Sequence, residues 1–301
     1  MQKDNPLAES LNFFIYDTIK IFILLAVMIF LVSILRTFIT PQKVRKWLGG
    51  KREGVGNVIA ALLGIPTPFC SCSAVPLFIG FVEAGVPLGV TFSFLIAAPM
   101  INEIAVVLLF GLFGWHITAL YVLSGLFIAI FGGILIGRLK LEKQVEPFVY
   151  NANIKKKSTN FKNWDKRIEF AKIQTANLVK KVGLYIILGV GIGALIHGFV
   201  PVGFLADLAG PNNPLAVPIA VLIGIPLYSN AAGTIPIVES LMAKGMAIGT
   251  ALALMMSITA LSLPEMILLR RVLKPKLLVI FIAIIAICIT LTGLLFNLVI
   301  G

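Results

Sequence analysis

The stretch Gly64-Ile65-Pro66-Thr67-Pro68-Phe69-Cys70-Ser71-Cys72-Ser73-Ala74-Val75-Pro76 sets two thiols, three hydroxyls and three prolines between short apolar runs. Neither run is long enough to cross a bilayer alone. Polar, non-helical backbone inside a hydrocarbon layer is tolerated only where protein buries it or a cavity hydrates it. A weaker copy follows as Gly224-Ile225-Pro226-Leu227-Tyr228-Ser229-Asn230-Ala231-Ala232-Gly233-Thr234-Ile235-Pro236, with Gly224 standing 160 residues after Gly64. The same offset pairs Lys20 with Lys180, Pro41 with Pro201, Gly50 with Gly210, Gly85 with Gly245 and Gly89 with Gly249. Apolar identities arise by chance in such a chain; glycines and prolines in register mark shared backbone geometry.

Around these stretches the chain is 59% hydrophobic and 13% charged, with a mean hydropathy of +1.02. That excludes an ordinary soluble domain. Runs such as Ile117–Ile136 and Leu277–Ile300 match the roughly 20 residues a spanning helix needs. The reading is an all-α polytopic membrane protein built of two repeats, with the first helix retained rather than cleaved as a signal. Each repeat is expected to hold three full spanning helices and a re-entrant helical hairpin, about ten helical segments in all. Repeat 1 covers residues 1–138 with its hairpin at 55–84. A basic linker covers 139–175, and repeat 2 covers 176–301 with its hairpin at 215–244. The long helices are expected at Asn12–Phe38, Leu88–Phe110 and Ile117–Gly137, then Ala176–Phe199, Ala247–Leu269 and Leu277–Leu298. The hairpin arms are about 10 residues, or ~15 Å at 1.5 Å per residue, half of a ~30 Å core.

Charge sets the expected topology. Twelve of the 25 Lys and Arg lie between Arg138 and Lys181, and others cluster in Arg36–Arg52 and Arg270–Lys276. These loops face the cytoplasm by the positive-inside rule. Gly111–His116 and Pro201–Pro214 carry no Lys or Arg and face outward, as do both termini. Homologous loops then fall on opposite sides, so the repeats are inverted. The net charge of +12 is accounted for by loops against lipid headgroups, and no nucleic-acid partner is expected. Gln42–Leu48, with Trp47, suits an interfacial helix. Inverted repeats with interrupted helices are the pattern of secondary transporters, with the site at the interruptions.

Cys70 and Cys72 stand at the first hairpin tip, where the second half has Asn230 and Ala232. Paired thiolates are soft ligands suited to thiophilic centres, and the amides opening the following helix favour a thiolate or an anion. Ser73 is the expected N-cap. The alternative is close packing by small residues; a disulfide within the pair is disfavoured by the spacing. Thr67, Ser71, Ser73, Tyr228, Ser229, Asn230 and Thr234 either satisfy broken-helix backbone or contact substrate. Glu103 lies in the apolar run Ala97-Ala98-Pro99-Met100-Ile101-Asn102-Glu103. A charge there costs about 2.5–3.5 kcal/mol on an insertion scale, so it should be protonated, paired or hydrated. Pro99 and Asn102 suggest a kink. Glu265 has a similar setting after Ser262-Leu263-Pro264, with Arg270 as an expected partner. Glu103 and Glu265 are the gating or coupling candidates, and Glu239 a weaker one. His116 and His197 read as interfacial, and Cys288 as a buried hydrophobe.

The run from Gly64 to Glu103, with its P-x-P-F-C-S-C-S tip and its A-A-P-M-I-N-E continuation, resembles the bacterial and archaeal predicted permease family. That family includes organoarsenical efflux permeases, and the likeness extends over nearly the whole chain. The resemblance implies an inner-membrane permease in which Cys70 and Cys72 face a trivalent arsenical. A sulfur-containing anion is the alternative cargo. A thiol oxidoreductase using the same pair, or a hairpin-lined channel, are readings from other classes. No phosphate-binding G-x-x-x-x-G-K-[ST] loop is present in the sequence. The chain is therefore read as a non-enzyme with no cofactor, acting on a small molecule or metalloid within the bilayer. A homo-oligomer is left open.

Overall fold

The computed structural model describes residues 6–38, 54–65, 71–147, 149, 164–199, 213, 215–227, 234, 238–239, 241–242 and 245–300. In chain order the helices are α1 (Pro6–Phe38), α2 (Val55–Gly64), α3 (Ser71–Glu83), α4 (Leu88–Met100) and α5 (Glu103–Arg138). Then come α6 (Trp164–Phe199), α7 (Ala216–Gly224), α8 (Ile248–Ala260), α9 (Leu263–Arg270) and α10 (Pro275–Ile300). Among the described residues the only β pairing is a single bridge between Val145 and Leu273. The protein is a helical, multi-pass membrane protein. Ala105–Arg138, Ile248–Ile267 and Pro275–Val299 are long and apolar enough to cross a membrane. The outward stripes Ile15-Ile19-Ile23-Val27 of α1 and Val279-Ile287-Leu291-Leu295 of α10 are apolar and exposed, a pattern that lipid, not water, would cover.

Helices α4 and α8 form the interior. Every residue of α4 is buried, as are nearly all of α8. Helix α4 packs against α2, α3, α5 and α8, while α8 packs against α7 and α10. Close approach is made by small residues. A Cβ on Gly89 would sit 2.5 Å from the Gly133 carbonyl and 2.9 Å from the Gly137 Cα. A Cβ on Gly249 would collide with the Gly293 carbonyl and lie 2.5 Å from Asn297 Oδ1. Such glycine contacts let membrane helices touch backbone to backbone, where dispersion and packing supply the attraction. Asn57, 2% exposed, ties α2 to α4 by donating from Nδ2 to Ser93 Oγ at 2.9 Å.

The turns entering these two helices also match. Gly85 (φ 77°) closes α3, with its N–H on the Val82 carbonyl and the Val86 N–H on the Phe81 carbonyl. Gly245 (φ 98°) makes the same pair of bonds, from Gly245 to Met242 and from Met246 to Leu241. This is the Schellman geometry, and only glycine enters it without a Cβ penalty.

Several expected boundaries move. The expected helices Leu88–Phe110 and Ala247–Leu269 are each interrupted, at Ile101-Asn102 and at Leu261-Ser262. Helix α5 leaves helical geometry at Gly114 (φ 75°, ψ 179°). Helix α6 begins at Trp164 rather than Ala176, because the charged run Trp164–Thr175 is helix-favouring although it is not apolar. Helix α3 starts at Ser71, so Ser73 lies inside the first turn and is not the N-cap. The expected interfacial helix Gln42–Leu48 and most of Pro201–Pro214 lie outside the described residues.

Candidate functional site

Each interior helix stops and a new one starts within three residues. Helix α4 ends as Ile101 (φ −108°, ψ 65°) donates its N–H to the Ala97 carbonyl at 2.9 Å. Helix α8 ends as Leu261 (φ −125°, ψ 19°) donates to the Ser257 carbonyl at 2.9 Å. The chain restarts when Val106 N–H reaches the Asn102 carbonyl at 3.0 Å, and when Met266 N–H reaches the Ser262 carbonyl at 3.1 Å. All four bonds stand at the same 160-residue separation as the sequence repeat. Asn102 and Ser262 occupy the N-cap positions, where short polar side chains are favoured. Breaking a helix frees carbonyls at its end and amides at the next start, so polar backbone is concentrated at both points.

The two acids stand in the first turn after each break: Glu103 opens α5 and Glu265 is the third residue of α9. A carboxylate there is favoured by the helix dipole. Their burial differs. Glu103 is half-buried, whereas Glu265 is 1% exposed and Ser262 beside it 3% exposed. The Arg270 guanidinium, expected near Glu265, lies 3.9 Å from Glu146. Its reason is the chain reversal after α9, where Glu146 N–H bonds the Val272 carbonyl and Lys274 N–H bonds the Gln144 carbonyl.

Helices α4 and α8 touch, and α9, bearing Glu265, packs against α3, whose first turn contains Cys72. Pro76 has no N–H to return to the Cys72 carbonyl. Ser71, Cys72 and Ser73 are placed as backbone positions in that turn. Thr67, Cys70, Tyr228, Ser229 and Asn230 lie outside the described residues. Thr234 is helical and fully buried, Glu239 is exposed, and the His116 ring lies tilted against Trp115 with centroids 3.9 Å apart. Among the described residues no group of three or more His, Cys, Asp or Glu is placed to hold a metal ion; Cys70 falls outside that search.

Tyr121 escaped the sequence reading. It is fully buried, and its hydroxyl donates to the Met100 carbonyl at 2.7 Å, on the last residue of α4. A lone tyrosine in the apolar run Ala119–Ile136 was the available signal, because a buried phenol needs a partner.

Known proteins resemble this chain along most of its length. The UPF0718 protein YraQ of Escherichia coli (strain K12) is 24% identical over 273 residues, covering 90% of this chain and 76% of its own length. The UPF0718 protein MJ0584 of Methanocaldococcus jannaschii is 23% identical, covering 79% and 81% respectively. A Streptococcus mutans protein, named as a subunit of a two-component membrane permease complex, is 28% identical over 63% of this chain and 61% of its own. No solved structure matches the chain. The family profile described as predicted permease matches residues 6–298. With two interior helices broken side by side in a lipid-facing bundle, the chain belongs to the predicted permease family.

Proposed function

We propose that the protein is a secondary-type permease that moves a small thiophilic solute, of the trivalent arsenical kind, across the inner membrane. The observation that carries this reading is the pair of broken, touching interior helices. Interrupted helices that meet in the bundle interior expose backbone dipoles and polar side chains where a solute can shed water. In this reading residues 1–138 and 176–301 are inverted repeats joined by the 139–175 linker, and residues 55–84 and 215–244 are re-entrant hairpins. Their tips meet near the bilayer midplane. Cys70 and Cys72 contact the cargo; Thr67, Ser71, Ser73, Asn102, Tyr228, Ser229, Asn230 and Thr234 line the path. Glu103 and Glu265 gate it or carry a coupling proton.

Supporting features are the matched turns, glycine contacts and helix stops at one constant offset. Another is the contact between the cysteine-bearing α3 of the first half and the acid-bearing α9 of the second. The charge-assigned cytoplasmic loops after α5 and α9 are hydrogen-bonded to each other, which supports their assignment to one face. The test is flux of methylarsonous acid in proteoliposomes. Cys70→Ser with Cys72→Ser should lower it about tenfold or more, the equivalent of ~1.4 kcal/mol of lost soft-ligand contact. Unchanged flux in that variant sinks the thiol role. Saturable thiosulfate flux with no arsenical flux would move the cargo to sulfur-containing anions.

A further inference from the structure

The chain leaving α5 pairs at once with the turn between α9 and α10. The Glu146 N–H bonds the Val272 carbonyl at 2.9 Å, and the Lys274 N–H bonds the Gln144 carbonyl at 2.8 Å. Val145 and Leu273 form the antiparallel bridge between these two bonds. Lys274 Nζ donates to the Lys143 carbonyl at 3.1 Å, and the Arg270 guanidinium lies 3.9 Å from Glu146. The sequence prepares both sides of this contact. Glu146 precedes Pro147 and Lys274 precedes Pro275, and a residue before proline is driven to extended backbone. The centre is apolar: Val145, Val149, Val272 and Leu273 are each 2% exposed or less.

The contact holds the end of a short helix. Helix α9 has eight residues, a length of ~12 Å at 1.5 Å per residue. The Leu269 carbonyl accepts the Val272 N–H at 2.9 Å and the Leu273 N–H at 2.7 Å, so the paired turn is bonded directly into α9. Glu265 stands one helical turn before Leu269 on the same face, and the two are 1% and 0% exposed. Close-packed interiors are stiff and transmit displacement, so a shift of the turn reaches the carboxyl. The stretch 160 residues earlier, 110–116, stands in the open. It leaves helical geometry at Gly114, and a Cβ on Gly111 or Gly114 would meet nothing within 4 Å. Among the described residues no other segment is hydrogen-bonded to it through the backbone.

We propose that residues 142–149 are a strap that positions α9, with Val145 and Glu146 as positioning residues for Glu265. The strap fixes the C-terminal end of α9. Displacement of that helix is then left to its other end, at the Leu261-Ser262 break, where a few element-terminal residues absorb the change. The purpose of the strap rests on the permease reading, with Glu265 as gate; its geometry does not depend on the cargo.

The test compares the full-length protein with Val145→Asp, which sets a carboxylate in the buried centre of the strap, and with Val145→Ile, which keeps that centre apolar. Amide hydrogen exchange is read at 262–266 and at 272–274, with α4 as internal reference. Val145→Asp should speed exchange at both stretches by about tenfold and leave α4 unchanged; Val145→Ile should match the parent. In proteoliposomes with methylarsonous acid as probe, Val145→Asp should lower the maximal rate about tenfold while the half-saturation concentration stays within about twofold. Faster exchange at 272–274 with 262–266 at the parent rate overturns the positioning role, and so does an unchanged maximal rate. If Val145→Asp does not fold, a cross-link decides. A bridge pair of this kind has Cα atoms about 4.5 Å apart, within disulfide reach. With Cys70, Cys72 and Cys288 replaced by serine, Val145→Cys with Leu273→Cys should form the disulfide on oxidation and slow exchange at 262–266. Failure to cross-link, or unchanged exchange once linked, overturns the strap. If the parent protein carries no methylarsonous acid at all, the cargo assignment fails and exchange at 262–266 alone decides the strap.

Discussion

Two carboxylates that look alike in the sequence differ once the chain folds. Glu103 is half-buried at the start of α5, while Glu265 is 1% exposed in the first turn of α9. A carboxyl held away from water is the better device for linking protonation to a conformational change, because ionising it requires water or a partner that a movement must supply. Glu265→Gln should therefore cut net flux about tenfold or more, ~1.4 kcal/mol, and more than Glu103→Gln; measured proteoliposome rates in the opposite order would restore Glu103 to first place. Steric tolerance is equally local. Gly89→Ala drives a methyl against the Gly133 carbonyl and should cost about 1–3 kcal/mol, whereas Gly111, with nothing within 4 Å of its Cβ position, should accept alanine without loss. Thermal unfolding in detergent distinguishes the two. At this scale the sequence showed which residue types were unusual, a thiol pair, intramembrane acids and Asn102. It could not rank them, since burial is a property of neighbours. Tyr121 is the sharpest case: its ring is unremarkable in an apolar run, and only the end of α4 gives its hydroxyl a purpose.

Elements were legible where composition is sharp and misjudged where one apolar run conceals a change of direction. The breaks at Ile101-Asn102 and Leu261-Ser262 interrupt runs apolar enough to read as single helices. Pro99 and Asn102 signalled a kink in the first. In the second the signal is Ser262 at the N-cap followed by Pro264 in the first turn, where proline is tolerated. The turns into α4 and α8 were marked by Gly85 and Gly245. Their positive φ values of 77° and 98° mean that Gly85→Ala and Gly245→Ala should each destabilise by about 1–2 kcal/mol, read as matched losses of thermal stability. A large loss at only one of them would show that the two turns bear unequal load. Helix α6 was placed too late because Trp164–Thr175 is charged; helix propensity, not hydropathy, carries that segment.

For the molecule as a whole, orientation in the membrane follows from charge and can be read by side-specific labelling. With Cys70, Cys72 and Cys288 replaced by serine, single cysteines at Lys143→Cys and Lys274→Cys should react with an impermeant maleimide from the same side, because Lys274 Nζ lies 3.1 Å from the Lys143 carbonyl. Trp115→Cys and Asn213→Cys should react from the other. Labelling of all four from one face would end the inverted-repeat reading. The amino-acid order alone was enough for the membrane class and the family, because hydropathy, glycine and proline are read by local geometry and by lipid. Tertiary packing decided what local rules cannot reach. It made α4 and α8 the buried pair, set α3 against α9, sent Arg270 to Glu146 and aimed Tyr121 at Met100. Each of those depends on which surfaces remain once backbone groups are satisfied and small residues have let the helices close, a balance struck over the whole bundle.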